Sequence, residues 1–147
     1  MATPNKPRLF VDADVLFAGV AFPQEHSASL VVLRVAEITL VDAVTSQQAV
    51  EEARRNLAEK IPEALPAFAL IVQRCLRVAP APTVAEITPF TGLADLKDLP
   101  ILVAAIQTES PYLVTFNTRH YQPGHPDVMI LRPGEFLLRL RDLLTYL

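Results

Sequence analysis

Short apolar runs of β character alternate along this chain with longer stretches of helical periodicity, and that order limits the fold more than any other feature. Leu9 to Val11 reads as a first strand and Ser27 to Ile38 as a helix, with Leu30, Leu33, Val35 and Ile38 among its apolar positions. A strand is predicted over Thr39 to Val44. Thr45-Ser46-Gln47-Gln48 resembles a capping box, which opens a helix through Ala49, Val50, Ala53 and Leu57 that Pro62 ends. The next helix, about Glu63 to Leu76, carries Leu65, Phe68, Ala69, Val72 and Leu76 on one face, and Pro66 confines its regular part to the residues after the proline. Arg77 to Ala79 reads as a short strand stopped by Pro80-Ala81-Pro82, and Thr83-Val84-Ala85-Glu86 as a second capping box opening a short helix before Gly92. Asp98 is placed to cap a helix from Leu99 to about Glu109, with Pro100 in its first turn. Tyr112 to Thr115 and Val128 to Leu131 read as strands, and Pro133-Gly134-Glu135 starts a last helix striped by Phe136, Leu137, Leu140, Leu143 and Leu144. About five strands alternating with helices imply a mainly parallel sheet covered on both faces, an α/β class of α/β/α layers.

No internal repeat, low-complexity tract or linker divides the chain, and 147 residues with 51% hydrophobic content read as a single domain spanning 1–147. Cys75 is the only cysteine, so neither an intramolecular disulfide nor a cysteine-based zinc site can form, which suits a reducing cytosol. Met1 to Pro7 has no apolar signal core and no apolar stretch approaches the roughly 18 residues of a membrane span, so a soluble cytoplasmic protein without membrane contact is expected. A net charge of −3 gives no global attraction to nucleic acid, although cations held by clustered carboxylates would offset it locally.

In such a sheet, ligands bind beyond the carboxyl ends of the strands where the strand order reverses. Asp12 and Thr115 each follow a strand immediately and are expected there. The apolar run Leu9 to Val11 stops at Asp12-Ala13-Asp14, while Glu51-Glu52 and Asp95-Leu96-Lys97-Asp98 sit beside helical periodicity. Carboxylates that converge at strand ends are costly to desolvate, so they need Mg²⁺ or Mn²⁺, or basic partners. Each also has a plainer reading. Asp12 and Asp98 can be caps alone, Glu51 and Glu52 share a solvated face with Arg54 and Arg55, and Asp95 can be a loop acid. His120 reads as a loop histidine, His26 and His125 show no ligand spacing, and Cys75 faces an apolar stripe as core.

The order of these segments adds to that reading. Arg8 to Leu16 around Asp12, Ser46 to Leu57 with Glu52, Asp98 to Ala105, Tyr112 to Asn117, and the closing Ile130 to Leu137 together resemble the PIN-domain family over nearly the whole chain. The resemblance implies a parallel sheet of four or five strands between helices, and a quartet of acids that binds Mg²⁺ or Mn²⁺ for endoribonuclease cleavage of RNA. Many members are VapC-like toxins of type II toxin–antitoxin pairs, so an antitoxin protein is an implied partner. Asp12 matches the first acid, Glu52 the helical one and Asp98 the third, while Thr115 matches the Ser or Thr at the end of the fourth strand. Asp14 stands where the family usually has Asn, as an added ligand or an acceptor behind one. The departure is at the fourth acid, where this chain has Asn117, with His120 at the position of an alternative Asp.

The chemistry agrees with that assignment, since carboxylate-held cations activate water and stabilise charge at phosphorus without a covalent nucleophile. Arg54, Arg55 and Arg119 are candidates for phosphate contacts. Two other readings stand beside it. Phe10 to Leu16 also looks like the nucleophile motif of haloacid-dehalogenase-like phosphatases, but Lys6, Lys60 and Lys97 all precede Thr115, where that chemistry needs a later lysine. The other is a catalytically impaired PIN-like module that only binds RNA or a partner. The apolar last helix and the Leu30 to Ile38 face predict a homodimer and an antitoxin peptide in an apolar groove.

Overall fold

A computed structural model describes residues 6–25 and 27–145; His26 and the first five residues, on which sequence expectations fall, lie outside the described residues. The strands β1 (Arg8–Val11), β2 (Asp42–Ser46), β3 (Arg77–Ala79), β4 (Tyr112–Val114) and β5 (Met129–Leu131) form one sheet in the order β3-β2-β1-β4-β5. Every neighbouring pair is parallel. Parallel neighbours need crossovers, and helices supply most of them. α1 (Ala13–Ala21) and α2 (Ser27–Glu37) lead to β2, α3 (Gln47–Lys60) and α4 (Leu65–Cys75) to β3, and α5 (Val84–Ile87) and α6 (Leu99–Gln107) to β4. A 3-10 turn at Thr118–Tyr121 lies between β4 and β5, and α7 (Pro133–Thr145) follows the last strand.

Successive residues of a strand face opposite sides of a sheet, so the complete burial of Leu9, Phe10 and Val11 requires cover on both faces. α1, α2, α3, α4 and α7 form one packed group, and α6 lies over β2 and β4 with α5 beside it. α6 buries Leu99, Ile101, Leu102, Val103, Ala104 and Ala105, too many for one stripe, because it sits deep in the layer. At Gly19 a Cβ would come 2.8 Å from Leu33 Cδ1, so glycine lets α1 and α2 approach. No described helix is long and apolar enough to cross a membrane.

Three local expectations are corrected. The second strand begins at Asp42 rather than Thr39, because Thr39 (φ 65°) ends α2 in a left-handed conformation. Its amide donates to Ala36 O at 3.1 Å and the Leu40 amide to Val35 O at 3.0 Å, the paired bonds of a Schellman motif. Thr45-Ser46-Gln47-Gln48 is not a capping box. Ser46 alone caps α3, accepting from Ala49 N at 3.2 Å, while the Thr45 hydroxyl donates across the sheet to Val11 O at 2.8 Å. Helix α4 keeps Pro66 in its first turn, but its buried side is Phe68 and Cys75, with Ala69 exposed.

Candidate metal centre

The chain steps from β1 outward to β3 and then returns to β4 on the other side of β1, so the strand order reverses between β1 and β4. Val11 and Val114 are in register there, and Asp12 N donates to Val114 O at 3.0 Å. Asp12 and Thr115 therefore leave adjacent strands side by side. Asp12 caps α1 and also joins this cluster: Oδ1 accepts from Ala13 N at 2.7 Å, and Oδ2 accepts from Thr115 Oγ1 at 2.9 Å and Tyr121 OH at 2.6 Å. Asp14, in the first turn of α1, turns to the same cluster. Its Oδ2 accepts from Phe116 N at 3.0 Å and lies 3.3 Å from Thr115 Oγ1, whereas its Oδ1 is buried without a hydrogen-bond partner among the described residues.

Burial dominates the electrostatics. It pushes the Asp12 carboxyl above its ordinary range, against the hydrogen bonds from Tyr121, Ala13 and Thr115, and the charge of Asp98 adds to the rise. Asp14 is pushed up to about 7 by burial and by the charge of Asp12. Glu52 is raised by burial, then by Asp12 and by Asp98, with Lys97 and Arg55 opposing. These carboxylates thus feel one another across the cluster. The Tyr121 phenol is driven upward by burial and by Asp12, so it remains a proton donor throughout the working pH range.

Asp98 stands at the head of α6, yet its carboxylate makes no capping bond, so the cap-only reading fails. Instead its Oδ2 lies 3.0 Å from His120 Nδ1, and Asp95 Oδ2 lies 4.0 Å from the same nitrogen. Asp95, Asp98 and His120 bring ligand atoms within 4.8 Å of one another, an arrangement that can hold a metal ion. The donor set suits a hard or borderline divalent cation. Separately, the Asp14 oxygen beside Asp12 is orphaned. A buried carboxylate oxygen without a donor is costly unless a proton or a cation meets it.

Asn117 is exposed, and its backbone is what engages the cluster: N donates to Thr115 Oγ1 at 3.1 Å and O accepts from His120 N at 3.0 Å. Arg54 pairs with Glu51 on the outer face of α3, and Arg119 is exposed. Sequence reasoning missed Tyr121 altogether, because an aromatic after a polar loop reads as core. It left Asp95 as a loop acid and gave Lys97 no role at this site, although a cation one residue before Asp98 was a usable signal.

A family model described as PIN domain matches residues 8–119. No curated protein sequence matches the chain. Similar solved structures include VapBC2 from Rickettsia felis, bound to a DNA fragment from its promoter, with a TM-score of 0.59, 14% identity, and coverage of 84% of this chain and 96% of that one. VapC20 of Mycobacterium tuberculosis, a sarcin-ricin loop cleaving toxin, is similar at a TM-score of 0.60 and 17% identity, over 82% of this chain and 98% of its own. PAE2754 from Pyrobaculum aerophilum is similar at 0.61 and 16%, over 92% and 96%.

Proposed function

The chain belongs to the PIN-domain family, and from that premise we propose that it is a Mg²⁺- or Mn²⁺-dependent endoribonuclease acting in the cytoplasm as the toxin of a type II toxin–antitoxin pair. The observation that carries the reading is the unpartnered, buried Oδ1 of Asp14 beside the carboxylate of Asp12, at the point where the strand order reverses. Asp12, Asp14, Asp98 and Glu52 are the residues that would hold the cation. A cation bound there supplies an activated water and neutralises charge developing at phosphorus.

The chain's own groups do the rest. Thr115 and Tyr121 hold Asp12, the Phe116 amide holds Asp14, and His120 holds Asp98. Lys97 and Arg55, whose charges already reach Glu52, and the exposed Arg119 are the cations offered to RNA phosphates. Its structural relatives include a toxin and a VapBC complex, which supports an antitoxin as partner. Self-association is proposed through α2 and α7. Phe136 and Leu140 are spent within the protomer, while Val31, Ile38, Leu138, Leu143 and Leu144 stay exposed.

Incubating the chain with RNA and Mg²⁺ or Mn²⁺ tests the activity: cleavage is expected, and equal cleavage by Asp12→Asn would overturn the assignment. The binding-module reading rests on the exposed, uncharged Asn117, and RNA retained without cleavage would favour it. A small adjacent reading frame with a DNA-binding head and an apolar tail would support the toxin role. A monomer at high concentration in sedimentation would remove the dimer.

A further inference from the structure

Tyr121 is a large, fully buried side chain, 1% exposed, whose ring belongs to the hydrophobic core. Its hydroxyl nevertheless ends on Asp12 Oδ2, at 2.6 Å. An ionised carboxylate offers about four lone-pair sites. Thr115 at 2.9 Å and Tyr121 together occupy those of Oδ2, and the Ala13 amide at 2.7 Å takes one of Oδ1. The remaining acceptor direction is on Oδ1.

Thr115 alone would hold Oδ2 loosely, because its hydroxyl has a single proton and its Oγ1 also lies 3.3 Å from Asp14 Oδ2. Tyr121 has no such competing acceptor among the described residues. The terminal torsion of an aspartate is broad and nearly two-fold, so an acid without this second donor would exchange its two oxygens between roles. Resting on the nuclease reading above, we propose that Tyr121 is a positioning residue that pins Oδ2 of Asp12 and so presents Oδ1 to the divalent cation. The residue acts through Asp12 and touches no substrate. It comes from the turn after β4, while Asp12 comes from β1, so the bond also ties the two sides of the site together.

Tyr121→Phe removes the hydroxyl and keeps the ring, which separates this role from simple packing. The measurements are Mn²⁺ titration of the full chain by calorimetry and electron paramagnetic resonance, with kcat and KM for RNA over a range of Mn²⁺ concentrations. Mn²⁺ affinity is expected to weaken by about 10- to 100-fold, as for other residues that orient a metal ligand. KM for RNA should stay unchanged, and the lost kcat should recover as Mn²⁺ is raised. A folded Tyr121→Phe chain that binds Mn²⁺ like the parent overturns the proposal, even if it melts earlier. Should the variant not fold, the parent labelled with 3-fluorotyrosine decides: saturating Mg²⁺ must shift a ¹⁹F resonance, and no shift in any overturns it. A parent chain that binds neither ion sinks the nuclease reading as well, an outcome distinct from a variant that binds normally.

Discussion

Asp98 occupies the capping position of α6, but its carboxylate turns from the helix amides to meet Nδ1 of His120 at 3.0 Å. The contact closes a link that the backbone has already made, since Asp95 N donates to His120 O at 2.7 Å and Asp98 N to Asp95 O at 2.9 Å. The loop before α6 and the turn after β4 are therefore one unit. The histidine in that unit holds the Asp98 carboxylate without bringing a negative charge of its own.

The central prediction concerns the acids themselves. Asp12→Asn and Asp98→Asn should each lower metal-dependent RNA cleavage by about 100-fold or more, since each would remove a charged oxygen from the proposed cation site. The fold should survive, because loss of one charge relieves repulsion among the others. Circular dichroism with cleavage assays checks both halves, and an unfolded Asp12→Asn chain would contradict the second.

Asp14 sets a pH dependence in the metal-free protein. Its folded pKa is raised from 3.8 to about 7, so between those values the native state binds a proton that the unfolded state has lost. Stability from this group therefore falls as pH rises through that window and is lost above about 7. In a chelating buffer the protein should melt higher at pH 5.5 than at pH 8, by about 5 °C. Asp14→Asn should flatten the difference and raise the melting temperature at pH 8. A parent that melts lower at pH 5.5 would refute this account of Asp14.

Comparing Asp14→Asn with His120→Ala in Mg²⁺ and Mn²⁺ titrations decides which residue compensates for Asn117. Hard oxygen donors suit Mg²⁺, and the unpartnered Asp14 Oδ1 favours Asp14, so the larger loss is expected in Asp14→Asn. Loss of affinity confined to His120→Ala, with a preference for Mn²⁺ over Mg²⁺, would reverse the assignment. No loss in either would leave a three-carboxylate site.

The apolar runs were enough to mark the strands at Leu9, Tyr112 and Val128 and the α/β class, because burial on both faces leaves short continuous stretches that polar loops delimit. Asp12 and Thr115 were legible for the same reason: each ends such a run. Residues whose role depends on a long-range partner were not. Asp42 illustrates this, since it gathers Arg8 at 2.8 Å and Arg77 at 2.6 Å along the opposite edge of the sheet, a cluster assembled only when three strands align. Tyr121 was hidden likewise, as its ring looks like any core aromatic until the hydroxyl finds Asp12. α1 escaped delimitation because Ala13–Ala21 is apolar almost all round and shows no stripe.

The last prediction comes from two helix ends that use residues poorly suited to them. Thr39 (φ 65°) and Glu109 (φ 55°) both occupy left-handed conformations. Each is the turning residue of a Schellman motif: Glu109 N donates to Ile106 O at 3.0 Å and Ser110 N to Ala105 O at 2.9 Å, as Thr39 and Leu40 do after α2. A side chain at this position costs about 1–2 kcal/mol, more for a β-branched one, whereas glycine is free of it. Glycine also loses more entropy on folding, which offsets about 0.5–1 kcal/mol of the gain. Both residues are exposed, so no packing is lost on truncation. Thr39→Gly should therefore stabilise the protein by about 1 kcal/mol and Glu109→Gly by somewhat less, read as higher urea midpoints with unchanged slopes. Thr39→Ala separates the causes, since it removes the branched side chain but keeps the left-handed strain, and it should recover only part of the gain. A lower midpoint for Thr39→Gly than for the parent would show that Thr39 contributes something its exposed side chain does not reveal.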